Sequence, residues 1–223
     1  MKNALFLLLV FALGFMHHQA TAQTTTIKKG KYTLTFVNQD PTFEPTIQDK
    51  LVNAFFKVYP KEAKRFNKNT VKHVTLTIDT VYAGVAYAHD GKITIASAWL
   101  HKRPGDIDVI THEAMHLVQA YPPNSGPGWL TEGIADYVRH AYGVDNASAN
   151  WSLPELTDKH HYTNSYRITA RFLLWAEKKI NKKLVDTLDA HMRNQNYTPE
   201  VWQALTGKTV DELWEAYKAN PAI

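Results

Sequence analysis

The chain has 223 residues, of which 44% are hydrophobic, and it carries a formal net charge of +4 at pH 7. The basic balance comes from scattered lysines, and no dense tract of arginines and aromatic residues is present, so we expect no nucleic-acid binding. Cysteine is absent, which excludes disulfide bonds and a cysteine-linked lipid anchor.

The first 22 residues follow the order of a secretory signal peptide. Lys2 supplies a positive charge, the apolar run ALFLLLVFALGF is too short to span a bilayer, and ATA before Gln23 is typical of a cleavage site. The alternative, an uncleaved membrane anchor, lacks a following stop-transfer segment. We therefore predict that residues 1–22 are removed and that the mature protein is secreted, extracellular or periplasmic, with no membrane attachment.

The remaining 201 residues are enough for one domain of ordinary core size. Residues 23–29, QTTTIKK, are predicted to be a flexible leader, and residues 30–223 are predicted to form the domain. We expect this domain to be a monomer.

Strand patterns precede helix patterns along the domain. Two runs alternate apolar and polar residues, around Leu34 and Leu76, and Asp90-Gly91 between two further runs indicates a type I′ hairpin. A helix begins near Pro45 and is ended or kinked at Pro60. Later helical spacing covers residues 106–121, 128–141, 165–180, 183–194 and 208–219. This order predicts an α+β fold with a small, mostly antiparallel sheet.

The sequence THEAMH at residues 111–116 falls in the first of the later helices. The apolar stripe of that helix places His112 and His116 on nearly the opposite face. Two imidazoles one turn apart can bind the same ion, whereas core histidines are usually part of the stripe. Glu113 can face a metal-bound water without occupying a coordination position. The pattern therefore favours a metal site.

A catalytic zinc site needs a third protein ligand from a separate element, and GWLTEGIADYVRH supplies two carboxylates. Gly128 is expected to allow the turn into this helix, in which Glu132 and Asp136 lie one turn apart on the same face. Their apolar neighbours argue against a merely solvated helix face. We predict one Zn²⁺ per chain, with Glu132 as third ligand and Asp136 accepting a hydrogen bond from a ligating histidine. The alternative, in which Asp136 is the third ligand, stays open.

Five stretches carry a resemblance to a known family: VAYAHDGKITIASAWL, HEAMHLVQ, PGWLTEGIADYVR, SYRITARFLLW and GKTVDELWEAYKA. In this order they resemble the basic secretory proteins of plants and bacteria, which are zincin-like peptidases. The resemblance covers most of the chain from the hairpin onward. It implies a zinc-dependent peptidase in which His112 and His116 are ligands and Glu113 is the general base. The spacing of Glu132 and Asp136 is also similar to that of gluzincins.

A further donor near the metal would help to stabilise the developing oxyanion. Tyr166, which matches the tyrosine of the family's helix-start motif, is the first candidate for this catalytic role, and His161, Tyr162 and His140 are the others. A packing or surface role is an equal alternative for each of the four. The run GKITIASAWL is either an exposed edge strand that pairs with an extended substrate or an ordinary inner strand.

The predicted reaction is hydrolysis of a peptide bond in a protein or peptide substrate by metal-activated water. Two alternatives use the same residues: a secreted binding module that keeps a zincin scaffold without turnover, and a zinc hydrolase of a non-peptide amide. The intact Glu113 argues against the binding module. The motif does not distinguish endopeptidase from exopeptidase action.

Overall fold

The structure, a computed structural model, describes residues 22–223, so the predicted signal peptide lies outside the described residues except for its last position. The described strands are β1 (Gln23–Lys29), β2 (Tyr32–Asn38), β3 (His73–Asp79), β4 (Ala86–His89) and β5 (Lys92–Ala96). The described α-helices are α1 (Pro45–Arg65), α2 (Ser97–Lys102), α3 (Val109–Gln119), α4 (Gly128–Tyr142), α5 (Tyr166–Lys179), α6 (Leu184–Arg193), α7 (Glu200–Thr206) and α8 (Val210–Ala219). Apart from α1, the helices follow the strands, as predicted.

The five strands form one mixed sheet in the order β1-β2-β3-β5-β4. The outer pairs β1/β2 and β4/β5 are antiparallel, but β2/β3 and β3/β5 are parallel. The prediction of a mostly antiparallel sheet is therefore wrong for its interior. For the β2/β3 pair the cause is α1, because a crossover helix between these two strands returns the chain to the same end of the sheet. The β4–β5 hairpin then places β5 beside β3 and leaves β4 at the edge.

Residues 23–29 form β1, so the prediction of a flexible leader there is wrong. The strand pairs with β2 along its whole length, from Gln23 opposite Asn38 to Lys29 opposite Tyr32. All its side chains are exposed except that of Ile27, which is half-buried. Backbone hydrogen bonds hold this edge strand, so its sequence lacks the alternation by which strands are recognised.

The sheet has one apolar face and one threonine-rich face. The apolar face consists of fully buried side chains: Leu34, Phe36, Val74, Leu76, Ile78, Ile93 and Ile95. It packs against helices that include α1 and α3. Threonines such as Thr35 and Thr75, which are paired in register, are half-buried on the opposite face. The parallel strands therefore support a helical layer on one side, with the candidate site in that layer.

Helix α1 continues through Pro60 to Arg65, so the proline does not end it. Helix α5 packs on α4, α6 and α8, and its Phe172 ring stacks on Trp202 of α7 with centroids 5.9 Å apart. Residues of α5 and of its neighbours form an aromatic cluster: Tyr162, Phe172, Trp175, Trp202, Trp214 and Tyr217. Among residues 22–223, no helix has both the length and the apolar character needed to cross a bilayer.

Candidate functional site

A cleft of about 940 Å³ is lined by residues of β4, α2, α3, α4 and α5, by Arg103 and Asp106 after α2, and by the segment 149–151. The three candidate metal ligands, His112, His116 and Glu132, all line it, as do Glu113 and Asp136. The structure therefore brings together the residues that the two sequence motifs predicted.

Helix α3 carries the HExxH residues, and its first turn is anchored to the end of α4 by Asp108. The buried Asp108 carboxylate accepts hydrogen bonds from the Thr111 hydroxyl at 2.8 Å and from the backbone N–H groups of Val144 and Asp145 at 2.8 and 2.5 Å. These bonds fix α3 along its axis relative to α4. Both ends of the pair of helices are then held, because a short loop joins them at the other end.

The loop from α3 to α4 reverses the chain within residues 120–127. Two residues in it have left-handed backbone conformations, Ala120 with φ 44° and Asn124 with φ 61°. Pro127 is extended, and α4 begins at Gly128. Gly128 does not have a positive φ, so the prediction that this glycine makes the turn is wrong. The turn is made earlier, at the end of α3.

The three candidate ligands converge on one point between α3 and α4. The His112 Nε2 lies 3.2 Å from the Glu132 Oε2 and 3.1 Å from the His116 Nε2. The His116 Nε2 lies 3.6 Å from the same Glu132 oxygen. Tetrahedral zinc with ligand distances of about 2.0–2.2 Å needs donor atoms roughly 3.3 Å apart. The three donor atoms have the separations that such an ion requires.

The opposite nitrogen of each histidine has its own fixed partner. The His112 Nδ1–H donates to the buried Asp136 Oδ1 at 2.7 Å, and the His116 Nδ1–H donates to the Gln119 Oε1 at 2.7 Å. The Gln119 amide in turn donates to the Thr131 carbonyl at 2.9 Å, which ties it to α4. These bonds direct each Nε2 lone pair toward the common point. The Asp136 Oδ1 is therefore engaged by the His112 Nδ1, whereas the Glu132 Oε2 lies near the Nε2 atoms of both histidines.

Gln119 was not identified from the sequence. It lies three residues after His116 on the same face of α3, and its side chain is buried. The spacing alone was the only signal for its role, and many helical glutamines share that spacing without contacting a histidine.

The electrostatics of the site favour a positive charge at its centre. Burial lowers the pKa of His112, but hydrogen bonds to Asp136 and Glu132 outweigh it and raise the pKa to about 10. Burial raises the pKa of Glu132, but hydrogen bonds from His112 and His116 prevail and lower it well below its ordinary value. The carboxylates that stabilise a protonated imidazole would also stabilise a metal cation.

Glu113 lies beside the ligands but makes none of their contacts. Its carboxyl group is buried, and the Oε2 atom has no hydrogen-bond partner within residues 22–223. Burial raises the pKa of Glu113, against the lowering effect of the charges on His112 and His116. An unpartnered buried carboxylate oxygen in a cleft is unfavourable unless a ligand or water binds there.

Tyr166 lies over His112 at the start of α5. The two ring centroids are 6.1 Å apart with an interplanar angle of 20°, and the tyrosine is 54% exposed. Ser165 and Tyr166 have φ values of 65° and 50°, a conformation that is costly for non-glycine residues and is concentrated at functional sites. The negative charge of Glu132 and partial burial raise the pKa of Tyr166, so its phenol is protonated and able to donate a hydrogen bond.

The other three candidate donors do not line the cleft. The Tyr162 hydroxyl donates to Asp211 at 2.6 Å, and the ring of His161 packs on Tyr162 with centroids 4.3 Å apart. His140 is exposed near the end of α4. The structure therefore gives these three residues packing or surface positions.

The run GKITIASAWL corresponds to β5 and the start of α2, and β5 is an inner strand between β3 and β4. The edge-strand alternative is wrong for this run. The edge is formed by its hairpin partner β4, and residues 85–88 of that hairpin line the cleft. Asp90 and Gly91 at the hairpin turn both have positive φ values, 47° and 72°, as a type I′ turn requires.

Comparison with protein families gives a match over residues 15–217 to a model described as peptidase of plants and bacteria. No curated protein matches the chain.

Several solved structures are similar to most of this chain. A mutant of a two-domain M1 zinc metallopeptidase bound to L-tryptophan has a TM-score of 0.46 and 15% identity, over 91% of this chain and 49% of that one. An aminopeptidase N family protein from Idiomarina loihiensis has a TM-score of 0.47 and 9% identity, over 91% and 45%. A mutant M1 zinc metallopeptidase from Deinococcus radiodurans, bound to a Tyr-Ser-Ala substrate, has a TM-score of 0.45 and 15% identity, over 91% and 49%. The chain spans about half the length of each of these proteins.

Proposed function

The chain belongs to the family of peptidases of plants and bacteria, as its resemblance predicted, and on this premise we propose that it is a secreted, zinc-dependent peptidase with a zincin-like active site. One observation carries the proposal. His112, His116 and Glu132 converge with donor atoms within 4.8 Å of one another, next to the unpartnered carboxylate of Glu113. This is the donor set of a catalytic zinc site, in which three protein ligands leave one position for water.

The residues fit a zinc ion in their chemistry as well as their spacing. His112 and His116 would supply imidazole nitrogens and Glu132 a carboxylate oxygen, with Asp136 and Gln119 holding the histidines in orientation. When bound, zinc lowers the pKa of a coordinated water and polarises the substrate carbonyl.

Glu113 takes the proton of the attacking water in this proposal. Its raised pKa brings the carboxylate closer to the range in which it can accept that proton and later pass it to the leaving amine. Because its Oε2 atom makes no hydrogen bond within the described residues, no existing bond must break before the water binds. Tyr166 donates from its protonated phenol to the oxyanion that develops on the substrate carbonyl.

The edge strand β4 holds the substrate backbone. One side of β4 pairs with β5, and its other side has no strand partner in the described sheet. An extended peptide can add to this edge through main-chain hydrogen bonds, with alternate side chains facing the cleft. Tyr87, which is 47% exposed and lines the cleft, would contact such a peptide.

Glu113→Gln tests the proposal, because the amide keeps the shape of the side chain and cannot act as the base. We expect the variant to fold and to bind one zinc per chain, but to lose at least about 100-fold in turnover of a peptide library. Glu215→Gln, an exposed change on α8, is the matched control and should be fully active. Chelator should abolish the activity of the wild type, and zinc should restore it.

The outcomes separate the proposal from its alternatives. Wild-type protein that binds zinc but cleaves no peptide would favour the binding module or a non-peptide amide substrate, and a panel of amides would distinguish these two. A Glu113→Gln variant as active as the wild type would refute the role of this residue. Secretion is tested separately by mass spectrometry of exported material, in which a retained Met1 would contradict cleavage after residue 22.

A further inference from the structure

Two arginines in the cleft form no ion pair with a carboxylate of residues 22–223. The chain has six arginines, and four are paired with carboxylates: Arg65, Arg139, Arg171 and Arg193. Within residues 22–223, Arg103 and Arg167 form no such pair, and both line the cleft. The unpaired guanidinium groups are therefore found where a substrate would bind.

Arg103 is presented by a rigid support at the end of α2. Its guanidinium carbon lies 6.0 Å from the ring centroid of Trp99. The Trp99 indole N–H donates to the Asp106 Oδ2 at 2.9 Å, which fixes the ring. The other oxygen of Asp106 accepts a 2.5 Å bond from Arg139 in a buried ion pair. Arg139 therefore neutralises the Asp106 carboxylate, and the charge of Arg103 stays available for a substrate.

Arg167 follows Tyr166, whose ring stacks over His112. Its side chain makes one hydrogen bond to the described part of the chain, a long contact of 3.4 Å to the Ser152 carbonyl. Ser152 follows Trp151, which also lines the cleft. Arg167 is thus held beside the candidate catalytic residues, with most of its donors unused.

A guanidinium group with free donors binds a carboxylate through two parallel hydrogen bonds. We propose that Arg103 and Arg167 form a carboxylate-binding subsite, so that the preferred substrates are peptides with a carboxylate near the scissile bond. The carboxylate belongs either to an acidic side chain or to the peptide C-terminus, and both present the same chemistry. This inference rests on the proposed peptidase function.

A matched set of peptides tests the subsite with the zinc-loaded full chain. The set contains a neutral peptide with an amidated C-terminus, the same peptide with a free C-terminus, and amidated versions with one glutamate or one lysine at each position. We expect kcat/KM for the best carboxylate-containing peptides to exceed that of the neutral amide by about tenfold or more. A preference that disappears on amidation assigns the C-terminus, and one retained by amidated glutamate peptides assigns the side chain.

Arginine variants connect that preference to the subsite. Arg103→Gln and Arg167→Gln should each lower kcat/KM for carboxylate peptides by about tenfold, mainly through KM, and leave the neutral amide nearly unchanged. The lysine variants should restore part of the loss, because they keep the charge without the planar fork. Lys179→Gln, an exposed change in the last turn of α5, removes the same charge outside the cleft and should have no effect.

Binding provides a second measurement that does not need turnover. Calorimetry with the Glu113→Gln protein should give tighter binding of carboxylate peptides, and the arginine variants should abolish the difference. Hydrolysis of all the peptides at equal rates, unaffected by the arginine variants, would overturn the subsite and leave the peptidase proposal intact. If no peptide is hydrolysed, the peptidase proposal fails, and equal binding of neutral and carboxylate peptides would then overturn the subsite as well.

Discussion

Replacing Gly133 with alanine tests how closely α5 is held against the helix that carries Glu132. A Cβ atom at this position would lie 2.2 Å from the Thr169 Cγ2 and 2.6 Å from the Thr169 Cβ. Thr169 is fully buried on α5, and its hydroxyl donates to the Tyr162 carbonyl at 2.5 Å. The threonine cannot rotate away without breaking that bond, so the two helices must separate.

The expected magnitude follows from this overlap. Ordinary van der Waals contact begins at 3.4 Å, so the helices must move apart by about 1.2 Å at this point. Overpacking of a core costs about 1–3 kcal/mol, and an overlap this severe belongs at the upper end. Alanine recovers about 1 kcal/mol through its higher helix propensity. The net loss of about 2 kcal/mol corresponds to a decrease in Tm of roughly 4–8 °C.

The same displacement should affect catalysis more than metal binding. The candidate ligands are on α3 and α4, whereas Tyr166 is on α5 and moves with it. We expect Gly133→Ala to keep one zinc per chain and to lose up to about 100-fold in kcat. Thermal denaturation, metal analysis and peptide hydrolysis measure the three quantities. Adding Thr169→Ser removes the nearest atom and should recover at least about 0.5 kcal/mol. A variant as stable as the wild type would refute the packing argument.

Three other predictions concern individual side chains, two in the site and one in the core beside it. Glu132→Ala should abolish stoichiometric zinc binding, whereas Asp136→Ala should weaken the affinity by about 10–100-fold; the reverse result in a zinc titration would make Asp136 the third ligand. Gln119→Leu should lower the affinity for zinc by a similar factor without unfolding the protein. An unchanged dissociation constant would show that the orientation of His116 does not depend on Gln119. Complete burial raises the pKa of Glu62, whose carboxylate has no hydrogen-bond partner in the described chain. The protonated side chain therefore makes its full contribution to the free energy of unfolding below pH 4.5, and this contribution is lost as the pH rises toward the folded-state pKa. Urea denaturation with chelator should show stability decreasing more steeply above pH 4.5 in the wild type than in Glu62→Gln, and parallel pH profiles would contradict this.

The sequence was most informative where the periodicity of the side chains determines on which face of a helix a residue lies. The apolar stripe of α3 placed His112 and His116 on one face of their helix, and the four-residue spacing placed Glu132 and Asp136 on one face of α4. The structure brings the donor atoms of His112, His116 and Glu132 within 4.8 Å of one another. A single helix face is a local property, so spacing along the chain was sufficient to predict it.

The remaining features depend on contacts between distant parts of the chain. Strand β1 is held by backbone bonds that leave no side-chain pattern, and the parallel pairing in the interior depends on where α1 crosses over. Gln119 acquires its role only through a carbonyl on α4. Whether Arg103 has a carboxylate partner depends on the ion pair between Asp106 and Arg139. Spacing along the chain does not predict such a pair.

The candidate ligands and their supporting side chains are close together in the chain, between His112 and Asp136, whereas the other walls of the cleft come from residues between 85 and 167. Closing the short loop between α3 and α4 costs little chain entropy, so this helical pair can assemble as a local unit during folding. The other walls of the cleft depend on contacts between residues that are far apart in the chain. Substitutions in those walls can therefore change which peptides are accepted while the helical pair stays intact, and new substrate preferences can arise in this family without loss of the candidate ligand set.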